Sequence, residues 1–416
     1  MTEILIFIYI SINLYVAYTY FKLDFGVFQF PFLIACVSLT FVTPQLVNLL
    51  KSGYFIQDGI DEVILLNLCL CNIALTIGFN TQSNKKNIVE YSIIRLDNRK
   101  LLERTIYVFF LVGSIATLMN RGVYKGGFVS GTFVIISFFT SFGTIALLLI
   151  LIAHQRGILK GKIFVILSVI IIVLTLDKII ASGRRAATIN LVLMILYFFL
   201  NRKSSIYTYL KICVPAFFVI GMILGSQIGK YRETAYQGNK TFIENISSLD
   251  FSSSEIDARV LQKGEIYNAF EGMRMIYLKN IYDYGAYNWN GIVKDYIPTA
   301  LFSKEFKNSL MIKEESQDLV NYLTRSGSTM TGYFDSFLSF GILGFIKFWI
   351  MGTIMGFLWR RRNQSDLSIL LYFSLLTPGL HVLTHSSNYF VSEYVFEIIF
   401  IYPMLKLQSS KEIIFE

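Results

Sequence analysis

Apolar runs long enough to cross a bilayer recur along this chain, separated by short polar turns. They fill residues 3 to 228 and resume near 336. A hydrocarbon core about 30 Å thick takes roughly 20 helical residues. The pattern therefore predicts eleven spans, near 3–21, 27–45, 61–79, 105–120, 131–153, 163–181, 186–200, 208–228, 336–358, 368–385 and 389–406. Pro31 and Pro44 interrupt the second, and a further helix hidden in 27–60 would make the count even. The expected fold class is an all-α polytopic membrane protein of about 11 transmembrane helices (10–12).

The one long interruption divides the chain into membrane helices over 1–228, a polar segment over 229–332, and membrane helices with a polar tail over 333–416. Irregular backbone at membrane depth must be buried in protein or line a watery cavity, so a segment of this size belongs outside the bilayer. Between 229 and 330 it carries thirteen acidic and twelve basic residues. Long connections of this kind are where binding functions concentrate. Within it, Ala269, Phe270, Met273, Ile276, Tyr277 and Ile281 recur at near-helical spacing, which predicts an amphipathic helix ending near Gly285. Arg274 lies at the edge of that apolar stripe, and Glu271 stands one turn before it. A lone arginine there is either solvated or an anion site. Tyr287 and Trp289 follow, with apolar faces and polar tips suited to sugar rings or to interfacial anchoring.

Composition supports the membrane assignment. The chain is 54% hydrophobic and 16% charged, with a mean hydropathy of +0.56, values at which 416 residues cannot cover a soluble surface. The net charge of +9 suggests nucleic acid until its distribution is considered. Basic residues cluster beside apolar runs, around Lys85–Arg104, Arg156–Lys162, Arg202–Lys211 and Arg360–Arg362. That is the positive-inside pattern of cytoplasmic loops, and it excludes nucleic acid as the expected partner. It places the N-terminus and the long polar segment outside, and the C-terminus inside.

Few residues carry recognisable chemistry. Cys36, Cys69, Cys71 and Cys213 all fall in apolar runs and read as buried small hydrophobes. His381 and His385 share a helix face, yet no third ligand stands near, so neither metal nor cofactor is expected. Two arginines, Arg184 and Arg185, occupy a tight turn on the outer side, against the positive-inside bias. They either snorkel to headgroups, pair with Asp177, or grip an anion bidentately at membrane depth. Gly221 with Gly225, and Gly352 with Gly356, have the spacing of close helix packing. No Walker loop, dinucleotide fingerprint or Gly-x-Ser-x-Gly elbow is present.

Four stretches resemble the bacterial oligosaccharide repeat unit polymerases of O-antigen and capsule synthesis. Ser182-Gly183-Arg184-Arg185 is similar to that family's Gly/Ser-Arg turn, and Arg274 followed by Gly285 is similar to its loop spacing. The run Tyr284-Gly285-Ala286-Tyr287 to Asp295-Tyr296-Ile297-Pro298 resembles its Gly-to-Ile-Pro stretch. Thr331-Gly332-Tyr333-Phe334 through Phe340-Gly341-Ile342-Leu343-Gly344 resembles the return into the membrane. Many relatives carry Arg after Ile-Pro; Thr299 stands here, so no anion role transfers to that position.

The resemblance implies a GT-C-like glycosyltransferase in the bacterial plasma (inner) membrane, with its site on the outer face. Its substrates would be undecaprenyl-diphosphate-linked glycans, with membrane lipid around it and a separate chain-length regulator as partner. Arg184, Arg185 and Arg274 would neutralise the departing diphosphate without metal, and Tyr287 and Trp289 would contact sugar. Glu271, Asp335 and His385 are the candidate bases for the acceptor hydroxyl. Two other readings share this topology: the related O-antigen ligase, and a lipid-linked oligosaccharide flippase or transporter.

Overall fold

The structure, a computed structural model, describes residues 1–55, 57, 59–83, 91–96, 98–120, 136, 139–182, 185–200, 211–216, 218, 264–299, 301–313, 330–406 and 410–414. Among these residues the chain is helical apart from one short ribbon. In chain order the helices are α1 (Thr2–Lys22), α2 (Phe30–Lys51), α3 (Ile60–Ser83) and α4 (Arg99–Met119). Then come α5 (Ser141–Gln155), α6 (Gly161–Ser182) and α7 (Arg185–Leu200). The polar segment supplies α8 (Glu265–Lys279), α9 (Ala286–Tyr296) and α10 (Lys304–Leu310). After them come α11 (Gly332–Phe340), α12 (Phe345–Arg360), α13 (Asp366–His381) and α14 (Asn388–Phe396), which a π turn continues into the short helix Tyr402–Lys406.

Among the described residues five helices are long and apolar enough to cross a membrane: Thr2–Lys22, Phe30–Lys51, Ile60–Gln82, Arg99–Met119 and Gly332–Arg360. The last takes α11 and α12 together. The region over 27–60 holds a single helix of this kind, not two. Pro31 falls in its first turn, where a missing N–H leaves no bond unmade. Pro44 follows a π turn over Ser38–Val42, a local widening that keeps the helix continuous. The span expected at 336–358 begins earlier, at Gly332, and breaks between α11 and α12. Gly341 turns the chain there at φ 57°, a conformation open to glycine. Gly344 then packs so tightly that a Cβ would stand 2.1 Å from the Ser336 carbonyl oxygen.

The most extensive helix pair is α3 with α12. Small residues allow it. A Cβ on Gly352 would meet the Leu75 carbonyl oxygen at 2.1 Å, and one on Gly356 the Phe79 carbonyl oxygen at 2.3 Å. The spacing noted in the sequence is thus a backbone-to-backbone contact. Gly221 and Gly225 lie outside the described residues.

A closed polar network ties α1, α2, α3 and α11 together inside this core. The Tyr9 and Tyr333 hydroxyls lie 3.0 Å apart, and the Tyr333 hydroxyl donates to Asn72 Oδ1 at 2.9 Å. Asn72 Nδ2 donates to Asn13 Oδ1 at 3.0 Å and to Ser38 Oγ at 3.1 Å. Each of these five side chains is buried, and satisfied buried networks of this kind fix helix register.

Helix ends sort into two sets. At one end Thr2 donates to Glu62, α8 packs on α3 and α11, and α9 packs on α11 and α14. At the other, Arg156 at the end of α5 pairs with Asp366 at the start of α13 at 2.7 Å, and Leu96 N–H bonds the same carboxylate. There too, strand β1 (Tyr91–Arg95) pairs antiparallel with β2 (Ser410–Ile414), Tyr91 opposite Ile414 and Arg95 opposite Ser410. The chain therefore shuttles between a capped end and a ribbon end.

Candidate functional site

The capped end is built by α8 to α10. Helix α8 forms because its apolar residues share one face; Ile266, Ala269, Phe270, Met273 and Ile276 are all buried. It ends at Asn280, in the left-handed conformation at φ 53°, and α9 begins after Gly285 at φ 89°. Between them Asp283 organises the turn. Its N–H bonds the Leu338 carbonyl at 3.0 Å, and its carboxylate accepts from Gly285 and Tyr287 N–H at 2.9 and 3.0 Å.

Two charged clusters lock this cap to the membrane helices. In the first, Arg274 is 6% exposed and grips Asp61, at the start of α3, with two parallel bonds of 2.7 and 2.8 Å. Its Nη1 donates to Glu271 at 3.1 Å and its Nη2 to the Tyr54 carbonyl at 3.2 Å. The guanidinium lies 4.1 Å from the Tyr54 ring centroid, and the Tyr54 hydroxyl donates to Glu271. Burial is the largest influence and opposes the charge on Arg274, but Asp61, Tyr54 and Glu271 together outweigh it and hold the group above its ordinary value. Burial, then the bond to Glu271, pushes the Tyr54 hydroxyl well up, so it stays a donor. Arg274 is therefore neither solvated nor an open anion site. Four of its five N–H groups are committed to Asp61, Glu271 and Tyr54.

The second cluster surrounds Asp335, which is fully buried in α11. One carboxylate oxygen accepts from Ser387 Oγ at 2.9 Å and the other from Ser387 N–H. Lys347 on α12 stands 3.6 Å away, bonded to Ser339 Oγ at 2.7 Å, the Asp335 carbonyl at 3.2 Å and Asn288 Oδ1. Asn288 on α9 in turn reaches Ser387 Oγ at 3.1 Å and Asn388 at 2.5 Å. Lysine placed in a membrane span needs such partners, and the network supplies them.

The expected site residues thus separate. Glu271 and Arg274 meet in the first cluster, with about a third of the Glu271 side chain exposed. Asp335 lies in the second, with Tyr287 beside it through Asn388, whose Nδ2 donates to the Tyr287 carbonyl at 3.5 Å. Trp289 is half-exposed and its indole donates to the Leu310 carbonyl at 2.7 Å, joining α9 to α10. His385 Nδ1 lies 2.8 Å from Thr384 Oγ1, and its ring sits 5.1 Å from that of His381 and 5.8 Å from that of Tyr389. Arg184 falls outside the described residues. Arg185 opens α7, and its side chain is likewise outside them. Among the described residues no group of three or more His, Cys, Asp or Glu has the arrangement of a metal site.

Sequence reasoning missed Asp61, Tyr54 and Asn288. An acid at the start of an apolar span is an ordinary helix-start residue, so nothing local marked Asp61 as a partner for Arg274. Set against protein-family models, curated proteins and solved structures, the chain finds no match.

Proposed function

We propose that this chain polymerises lipid-linked oligosaccharide repeat units on the outer face of a bacterial plasma membrane. In this reading eleven spans carry a GT-C-like site, and the growing glycan moves from undecaprenyl diphosphate to the next lipid-linked unit. The observation that carries it is the first cluster. A partly exposed carboxylate, Glu271, is held beside a buried guanidinium on a cap that closes one end of the helices. Tyr54 and Arg274 orient that carboxylate from two directions, as a positioned general base requires.

Geometry favours Glu271 over the other two candidate bases. Asp335 is sealed from solvent with both oxygens bonded, and His385 Nδ1 is engaged by Thr384. Arg274 then acts by fixing Glu271 and the cap, and the diphosphate charge falls to Arg184 and Arg185. Tyr287 and Trp289 lie on the same cap and offer contact with sugar.

Deleting the gene and resolving surface glycan by size tests the reading. The ladder should vanish while single-repeat product survives; loss of both would overturn it in favour of a ligase or flippase. Glu271→Gln, which keeps an acceptor toward Tyr54 and Arg274, should lower polymer formation by roughly 10²–10⁴-fold with the protein retained in the membrane. Arg185→Ala should abolish polymer, and thorough chelation should leave it unchanged.

A further inference from the structure

The buried carboxylate that no cluster above uses is Glu397. It lies nine residues into the path from Asn388, about 13 Å along a helix, so it sits near the middle of the last predicted span. Its side chain is fully buried. Ser374, equally deep in α13, donates to Oε1. Oε2 has no hydrogen-bond partner among the described residues. Among the described residues no lysine or arginine pairs with it. The titratable groups that act on it are Glu393, one turn earlier on the same helix, and Tyr296, which packs against α14 from the cap.

The regular hydrogen-bond pattern of both helices changes near Glu397. Glu397 opens a π turn, Glu397–Ile401, a feature concentrated at functional positions. Opposite it, Pro378 interrupts α13. Proline has no N–H, so the carbonyl four residues earlier loses its helical donor. That carbonyl belongs to Ser374, the residue already bonded to Glu397. On the next turn Thr377 Oγ1 is buried and has no partner among the described residues. Among the described residues Glu397 Oε2 and Thr377 Oγ1 thus have no hydrogen-bond partner, and the Ser374 carbonyl lacks its helical donor. Intramembrane carboxylates facing interrupted helices are the usual receptors of small cations in membrane proteins.

We propose that Glu397, with Ser374 and Thr377, forms a membrane-embedded site for a hard monovalent cation, taken as a proton or as a sodium ion. The site lies between α13 and α14, and α14 begins at Asn388, the residue that ties down the cap through Asn288. Occupancy would therefore set the packing beneath the cap. It is independent of the polymerase reading.

Infrared difference spectroscopy of the full chain in lipid bilayers tests this, with sodium exchanged against choline and pH varied separately. In the wild type, adding sodium or raising pH should convert a protonated-acid carbonyl band into carboxylate bands. Glu397→Gln should lose that change and Glu393→Gln should keep it. Response to pH alone identifies the proton as occupant; competition by sodium identifies both. A wild-type spectrum indifferent to sodium and pH overturns the proposal, as does a response that survives in Glu397→Gln. Should Glu397→Gln fail to fold, Thr377→Val keeps the carboxyl. It should weaken the cation response roughly tenfold, the effect of losing one contact to a charged group, and an unchanged response there also counts against the site.

Discussion

At the scale of single residues, the structure pairs charges that lie far apart in sequence. Arg274 stands on the edge of an apolar helical stripe, and its counter-ion Asp61 lies 213 positions away. Removing one member of a buried pair strands the other, at about 3–5 kcal/mol. Arg274→Ala and Asp61→Ala should each destabilise the purified protein by that order. The double variant should cost much less than their sum; additive losses in denaturation would show that the pair is not coupled.

Asp295, on the cap, behaves differently. Burial raises its carboxyl above the usual carboxylate range, and Ser392 donates to it at 2.6 Å. A raised folded-state value favours the protonated form. The stability it confers is present below the unfolded value of about 3.9 and is lost as pH rises through the folded one. Asp295→Asn should therefore raise the unfolding temperature at pH 7 and give no gain near pH 3. A gain that grows as pH falls would contradict this sign.

At the scale of elements, glycine spacing decides how closely α3 and α12 meet. Alanine at Gly352 or Gly356 would place a methyl group against a backbone carbonyl oxygen that cannot rotate aside, at 2.1 and 2.3 Å. Each substitution should cost about 1–3 kcal/mol through forced separation of the helices. Gly143→Ala is the internal control, because a Cβ there meets nothing within 4 Å. Equal thermal stability for Gly143→Ala and Gly352→Ala would remove the packing argument. Helix existence followed from apolar run length, and α8 from its near-helical stripe. The breaks did not. The π turns and the Gly341 turn arise where one helix must yield to its neighbour, and no local pattern records the neighbour.

At the scale of the whole molecule, the cap and the β1–β2 ribbon define opposite ends. The proposed orientation, read from charge clustering, puts the cap outside and the ribbon in the cytoplasm. In a variant whose four cysteines are replaced, Tyr284→Cys on the cap should react with a membrane-impermeant maleimide on intact cells. Arg361→Cys, exposed at the other end, should react only after permeabilisation. The reverse pattern would invert the topology and place Glu271 on the face away from the proposed substrates.

The sequence alone determined that the chain is helical and apolar enough for a membrane, and that Arg274 and Glu271 share a helix turn. Run length, charge clustering and helical period are local properties, and composition displays them directly. Tertiary structure alone decided that Asp61 neutralises Arg274 and that Lys347 is answered by Asp335 and Asn288. It alone set Glu397 against an interrupted helix. Those pairings cross from one span to another, and in a medium without water a buried polar group is defined by whichever distant residue satisfies it.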